Sequence, residues 1–139
     1  MGKITTTLIV RNLIDEVNAK AGLIQPEAIR SVTLREVLVD TGVTHLCLPT
    51  EVIERLGLSL SKVVEVMTAS GVQTARIFEG GKAILEDRSS TSEIIELPGG
   101  RDPLLGVIPL EVMGVELDLQ KQTLRLLPND SARTYLLAY

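Results

Sequence analysis

The run Val37-Leu38-Val39-Asp40-Thr41-Gly42 carries three apolar residues straight into a carboxylate, a small hydroxyl residue and a glycine. Such a run reads as a buried strand that stops on a charged side chain. Taking an ionised carboxylate out of water without partners is expensive, so Asp40 needs a reason to stand there.

Downstream, Val43-Thr44-His45-Leu46-Cys47-Leu48 reads as another short strand, ended by Pro49. Residues 49–57 read as a short helix. Val52, Ile53 and Leu56 share one face, acidic Glu51 lies in the first turn, and Gly57 suits a C-terminal cap. Alternation over 62–68 and 72–79 predicts a β-hairpin with its tip near Ser70 and Gly71. After the turn at Gly80-Gly81, strands are expected at 83–87 and 92–97, separated by the polar tract Arg88-Ser89-Ser90-Thr91. A loop over 98–103 leads to Leu104-Leu105-Gly106, and Pro109 to Gly114 forms a second short helix closed by glycine. Apolar strand, glycine loop and short helix thus occur twice, a weak internal echo that suggests pseudo-twofold organisation. A hairpin over 115–119 and 123–127 follows, then an apolar tail at 134–139. Upstream of the opening run, strands are expected at 5–11, 13–19, 29–34 and 36–40.

Many short strands with frequent turns imply an all-β fold, a closed or folded β-barrel with one or two short helices. A chain of 139 residues is a single domain by length and long enough to bury a core. Its 45 % apolar content is aliphatic, with one Phe, two Tyr and no Trp, and its β-branched residues cluster in short runs as strands require. The net charge of -4 is scattered, and without a basic stripe or aromatic–basic interleaving nucleic-acid binding finds no support. One cysteine cannot form an intrachain disulfide, which suits a reducing compartment. The N-terminus lacks the apolar core of a signal peptide, and no apolar run approaches the ~18–20 residues that span a bilayer. The expected setting is cytoplasmic, with no membrane partner.

Two local features admit plain readings. Asp40-Thr41-Gly42 on its own could be an Asp-initiated turn after a strand. His45 and Cys47 share a strand face, but no third ligand or orienting acid accompanies them, so structural roles are expected, with Cys47 a small buried hydrophobe.

The opening run together with Leu46-Cys47-Leu48-Pro49 resembles the active-site loop of retropepsin-like aspartic proteases. Leu104-Leu105-Gly106 resembles the apolar-apolar-glycine loop that lies beside it in that family. Gly71, at a hairpin tip midway between the two, falls where the family carries its flap. Val115-Glu116-Leu117-Asp118 and Leu124-Arg125-Leu126-Leu127-Pro128 resemble the closing hairpin of small bacterial members. The resemblance extends from about Thr5 to Pro128. One departure is Val43, which follows the glycine where the family usually has Ala or Ser.

Aspartic proteolysis uses two carboxylates that share a proton, and this chain has one Asp-Thr-Gly. Asp87, Asp102, Asp118 and Asp130 lack the following Thr/Ser-Gly. The second carboxylate is therefore expected from another copy of the chain, because an isologous dimer presents the same residue twice about its axis. The resemblance implies the same arrangement. Asp40 would supply the carboxylate, the Thr41 hydroxyl would hydrogen-bond across the axis, and Gly42 would let backbone N–H approach the carboxylate. Ala69, Ser70 and Gly71 would close over an extended peptide or unfolded protein read by main-chain hydrogen bonds. The tail at 129–139 would either fray or contribute to the dimer interface. No metal or cofactor is called for. The expected activity is that of an aspartic endopeptidase. A rival from another class is a dimeric peptide-binding or scaffolding module on the same fold with little catalysis, and a third reading is a structural β-domain.

Overall fold

Strand β2 (Ser31–Val39) leads into the Asp40 loop, and its burial pattern explains how. Val32 and Leu34 turn inward at even positions, whereas Val37 and Val39 turn inward at odd ones. The parity changes because β2 carries an extra residue against its antiparallel neighbour β1 (Thr5–Asn12), where Thr6 pairs with Val37 but Leu8 with Leu34. Such a bulge re-aims the side chains beyond it. It also merges the two strands expected at 29–34 and 36–40 into one. The computed structural model describes residues 3–128, so the apolar tail lies outside the described residues.

After β1 the chain forms helix α1 (Leu13–Lys20), not the strand expected at 13–19. Asn12 caps it, its side-chain oxygen accepting from the Asp15 N–H at 2.9 Å. Acidic Asp15 and Glu16 lie in the first turn and Lys20 in the last, and Glu16 pairs with Lys20 at i, i+4. The apolar residues that mimicked strand alternation, Ile14 and Val17, are more than half exposed. What α1 presents to the fold is charge: Asp15 takes Arg30 through both carboxylate oxygens, and Glu16 takes Lys82 at 2.8 Å. A 3-10 turn (Pro26–Ala28) then leads to β2.

The remaining elements are β3 (Leu46–Pro49), α2 (Thr50–Leu56), β4 (Ser59–Thr68), β5 (Gly71–Glu79), β6 (Gly81–Leu85), β7 (Arg88–Ser90), β8 (Ile94–Leu97), β9 (Leu104–Leu105), α3 (Val107–Met113), β10 (Val115–Asp118) and β11 (Thr123–Leu126). Among the described residues nine strands form one sheet in the order β4-β5-β8-β3-β9-β2-β1-β6-β7, and β10 pairs with β11 in a separate hairpin. The all-β reading holds, with three short α-helices among the described residues. Both helices after the Asp40 loop end on a glycine in the left-handed conformation, Gly57 and Gly114.

Helix α2 buries Val52, Ile53 and Leu56, and α3 buries Pro109, Leu110 and Met113. They pack on a core that includes Leu8, Val10, Leu48, Ile94 and Leu105. Each such side chain contributes about 1.5–3 kcal/mol by leaving water. The tract at 88–91 is not simply a polar linker. It contains β7, and Arg88 is 8 % exposed. Its guanidinium donates to the carbonyls of Met113 at 2.9 Å and Gly114 at 3.4 Å, and to the carbonyl of Leu127. Arg88 therefore satisfies carbonyls that the end of α3 leaves open and ties them to the closing hairpin.

Candidate active site

The loop that begins at Asp40 is held from two sides. The Val39 N–H donates to the Ile4 carbonyl at 2.9 Å, and the Asp40 N–H to the Leu105 carbonyl at 3.0 Å. Two-residue β9 is inserted between β2 and β3, parallel to the first and antiparallel to the second. Beyond it, the N–H groups of Val107 and Ile108 donate to the carbonyls of Val43 and Thr44, each at 2.8 Å. Gly106 passes so close that a Cβ there would lie 2.5 Å from the carbonyl oxygens of both Val43 and His45. The glycine is required by this approach of two backbones, not by its dihedral angles, which are extended.

Within the loop the Gly42 N–H donates to Asp40 Oδ1 at 2.8 Å, and the Val43 N–H to the Asp40 carbonyl at 3.2 Å. A Cβ on Gly42 would lie 3.1 Å from Asp40 Oδ1, so glycine leaves the carboxylate room to accept this bond. Asp40 is half-buried, and Thr41 and Gly42 are exposed. Asp40 and Thr41 line a hollow of about 610 Å³ that Ile4 of the N-terminal segment and Leu117, Leu119 and Gln122 of the closing hairpin complete.

On its other side the loop borders a cleft of about 450 Å³. Gly42, Val43 and Thr44 form one wall. Val66, Met67 and Thr68 of β4 and Gln73, Thr74 and Ala75 of β5 form the wall opposite. Residues from Ile95 to Pro98, with Arg101 and Leu104, close it. Val43 is thus part of the cleft wall, and its backbone makes the loop's own hydrogen bonds undisturbed. Ala69, Ser70 and Gly71 stand at the exposed tip of the β4–β5 hairpin, where the Thr68 hydroxyl donates to the Gly71 carbonyl and accepts from the Ser70 N–H. The cleft is lined by residues nearer the hairpin's stem, which hydrophobic alternation alone does not single out.

Glu96 is the carboxylate that lines this cleft, whereas Asp40 faces the hollow on the other side of the loop, and sequence reasoning missed Glu96. It shares the buried face of β8 with Ile94. Arg76 donates to both of its oxygens, at 2.8 and 2.6 Å, and the Thr50 hydroxyl donates at 2.9 Å. The Arg76 hydrogen bonds hold this carboxyl below the usual range despite its burial. Arg76 also lies over the Phe78 ring, 5.2 Å from its centroid.

Cys47 is 3 % exposed, and its Sγ is 3.7 Å from the His45 carbonyl oxygen. Burial, reinforced by the negative charge of nearby Asp40, pushes its thiol up to about 11. A thiol protonated at neutral pH is a poor nucleophile. The His45 ring turns instead to Thr44, with Nδ1 2.6 Å from the hydroxyl oxygen. Among the described residues no three His, Cys, Asp or Glu side chains gather as a metal site would need, and no helix is long and apolar enough to cross a membrane.

No curated protein matches the chain in a sequence search. A family model described as aspartyl protease matches residues 28–107, more than half of the chain, from the 3-10 turn before β2 to the first residue of α3. The matched span takes in the Asp40 loop, the β4–β5 hairpin and the Leu104-Leu105-Gly106 segment that holds the loop, and the chain belongs to the aspartyl protease family, on a retropepsin-like all-β fold.

Proposed function

We propose that the protein is an aspartic endopeptidase that works as a homodimer, with the Asp40 carboxylates of two subunits facing each other across a twofold axis. The observation that carries this reading is the Asp40 loop itself. Its carboxylate is oriented by the Gly42 N–H, and the loop is bonded to residues 105–108 and shares with the β4–β5 hairpin the lining of a cleft. Within one subunit Glu96 is unsuited as the second acid. Arg76 holds it as an anion, and a carboxylate fixed in that state cannot pass a proton back and forth.

Two carboxyls about 3 Å apart cannot both ionise, so the pair holds one proton, and its two apparent pKa values belong to the pair. The ionised partner takes a proton from the water between them as the water oxygen bonds to the peptide carbonyl carbon. The protonated partner gives its proton to the carbonyl oxygen. The tetrahedral diol then collapses, the C–N bond breaks, and the amine nitrogen leaves with a proton returned by the dyad. Thr41 would brace the two loops against each other. The hairpin carrying Ala69, Ser70 and Gly71 would close over the extended substrate, whose backbone adds to the sheet.

An unfolded protein incubated with the purified enzyme at mildly acidic pH should be cut, and Asp40→Asn should abolish cutting while sedimentation shows the dimer intact. A protein that stays monomeric at all concentrations would sink the paired-carboxylate mechanism. Extended peptides bound intact, equally well by Asp40→Asn, with no cleavage across pH ~3–7, would favour the non-catalytic peptide-binding module instead.

A further inference from the structure

One of the charged residues lining the cleft has no partner among the described residues. Two of its lining residues are charged, Glu96 and Arg101. Glu96 is fully engaged by Arg76 and Thr50. Arg101 is exposed and, among the described residues, has neither an ion pair nor a side-chain hydrogen bond. It follows Gly99 and Gly100, both with positive φ, in a loop that contributes Pro98 and Arg101 to the cleft lining. Neighbouring Asp102 does not line the cleft and makes no ion pair with Arg101 among the described residues. The uncharged lining mixes polar Thr44, Thr68, Gln73 and Thr74 with an aliphatic set that includes Val43, Val66, Met67, Leu97 and Leu104.

We propose that Arg101 is a specificity-determining residue that makes the cleft select peptide segments in which an acidic residue flanks an aliphatic one. This rests on the cleft being the substrate groove of the endopeptidase reading. The aliphatic side chain packs against the aliphatic part of the lining, and its burial supplies affinity without direction. A neighbouring Asp or Glu carboxylate meets the guanidinium, which offers paired N–H donors matched to carboxylate geometry. A Lys or Arg at the same place would bring like charges together in a groove partly cleared of water, which disfavours binding more than the same repulsion at an open surface.

The test uses peptides of one sequence with a central aliphatic residue and Glu, Gln or Lys placed in turn at each of the three positions on either side. The readout is the ratio of kcat/KM between peptides, with binding to the Asp40→Asn protein measured in parallel by fluorescence anisotropy. At one or two positions Glu should exceed Gln by about tenfold, and Gln should exceed Lys. The Glu-to-Gln ratio should fall to about one in Arg101→Ala, and the Lys peptide should lead in Arg101→Glu. Equal use of Glu and Gln at every position, or a Glu preference that survives Arg101→Ala, would overturn the proposal. A Glu preference in binding without any cleavage would support it while refuting the endopeptidase reading.

Discussion

Replacing Gly106 by alanine tests whether the loop around Asp40 is held by backbone contact. The new methyl would sit 2.5 Å from two carbonyl oxygens and 2.8 Å from the His45 nitrogen, all main-chain atoms that cannot rotate aside. Even to reach the tightest contacts that side chains tolerate, about 3.0–3.4 Å, the 43–45 segment and β9 must separate by roughly 0.5–0.9 Å. That shift would stretch the Val107–Val43 and Ile108–Thr44 hydrogen bonds, both 2.8 Å, to the limit of a useful bond. Overpacking of this kind costs about 1–3 kcal/mol, and weakening one or two neutral hydrogen bonds adds about 0.5–1.5 kcal/mol each. A total of about 2–4 kcal/mol corresponds, at the usual unfolding entropy per residue, to a fall in Tm of roughly 7–14 °C for a chain of this length. Because Asp40 rides on the displaced segment, cleavage should fall by at least about a hundredfold even at temperatures where the variant is folded. Calorimetry and a peptide-cleavage assay read the two effects separately. A variant whose Tm lies within 2 °C of the parent and whose activity is unchanged would refute the account of why glycine is needed at this position.

Arg88→Ala should destabilise by about 3 kcal/mol, because it removes charged donors from three carbonyls at the end of α3 and the closing hairpin; urea unfolding measures it, and a loss under 1 kcal/mol would mean that water replaces the guanidinium. The carboxyls of Asp15, Glu16 and Glu96 are all held below the usual range, first by hydrogen bonds from Arg30, Lys82 and Arg76 respectively. The unfolded chain therefore takes up protons first as pH falls. The urea midpoint should hold steady down to about pH 5 and drop as pH falls through about 4 and below; a midpoint flat down to pH 3 would contradict the sign. Cys47, buried and protonated, should resist a thiol reagent at neutral pH for as long as the protein stays folded and react at once in denaturant; prompt labelling of the native protein would show that the segment opens.

The features that organise the site were legible because they are local. Three aliphatic residues running into Asp-Thr-Gly fixed the end of β2, and glycines at 57 and 114 closed the two short helices. The hairpin could be read because polar and apolar positions alternate on both sides of Ala69-Ser70. Residues 13–19 misled because Ile14 and Val17 look like a strand's inner face, whereas the decisive signal was the Asn12 cap with acids in the first turn and lysine in the last. Arg88 could not be read locally, since its partners lie 25 to 39 residues downstream. The same is true of the Glu96–Arg76 pair and of Arg101, whose roles depend on which loops the sheet order brings to one cleft.

The bonds between the Asp40 loop and residues 105–108 also have a temporal side. During synthesis Asp40, Thr41 and Gly42 leave the ribosome more than sixty residues before the segment that holds them in place. Until that segment arrives, the loop lacks the acceptor for the Asp40 N–H and the donors for its Val43 and Thr44 carbonyls. A nascent chain that stops short of residue 105 carries the acid but not its geometry, so the Asp40 loop takes its final form only when residues 105–108 fold back against it.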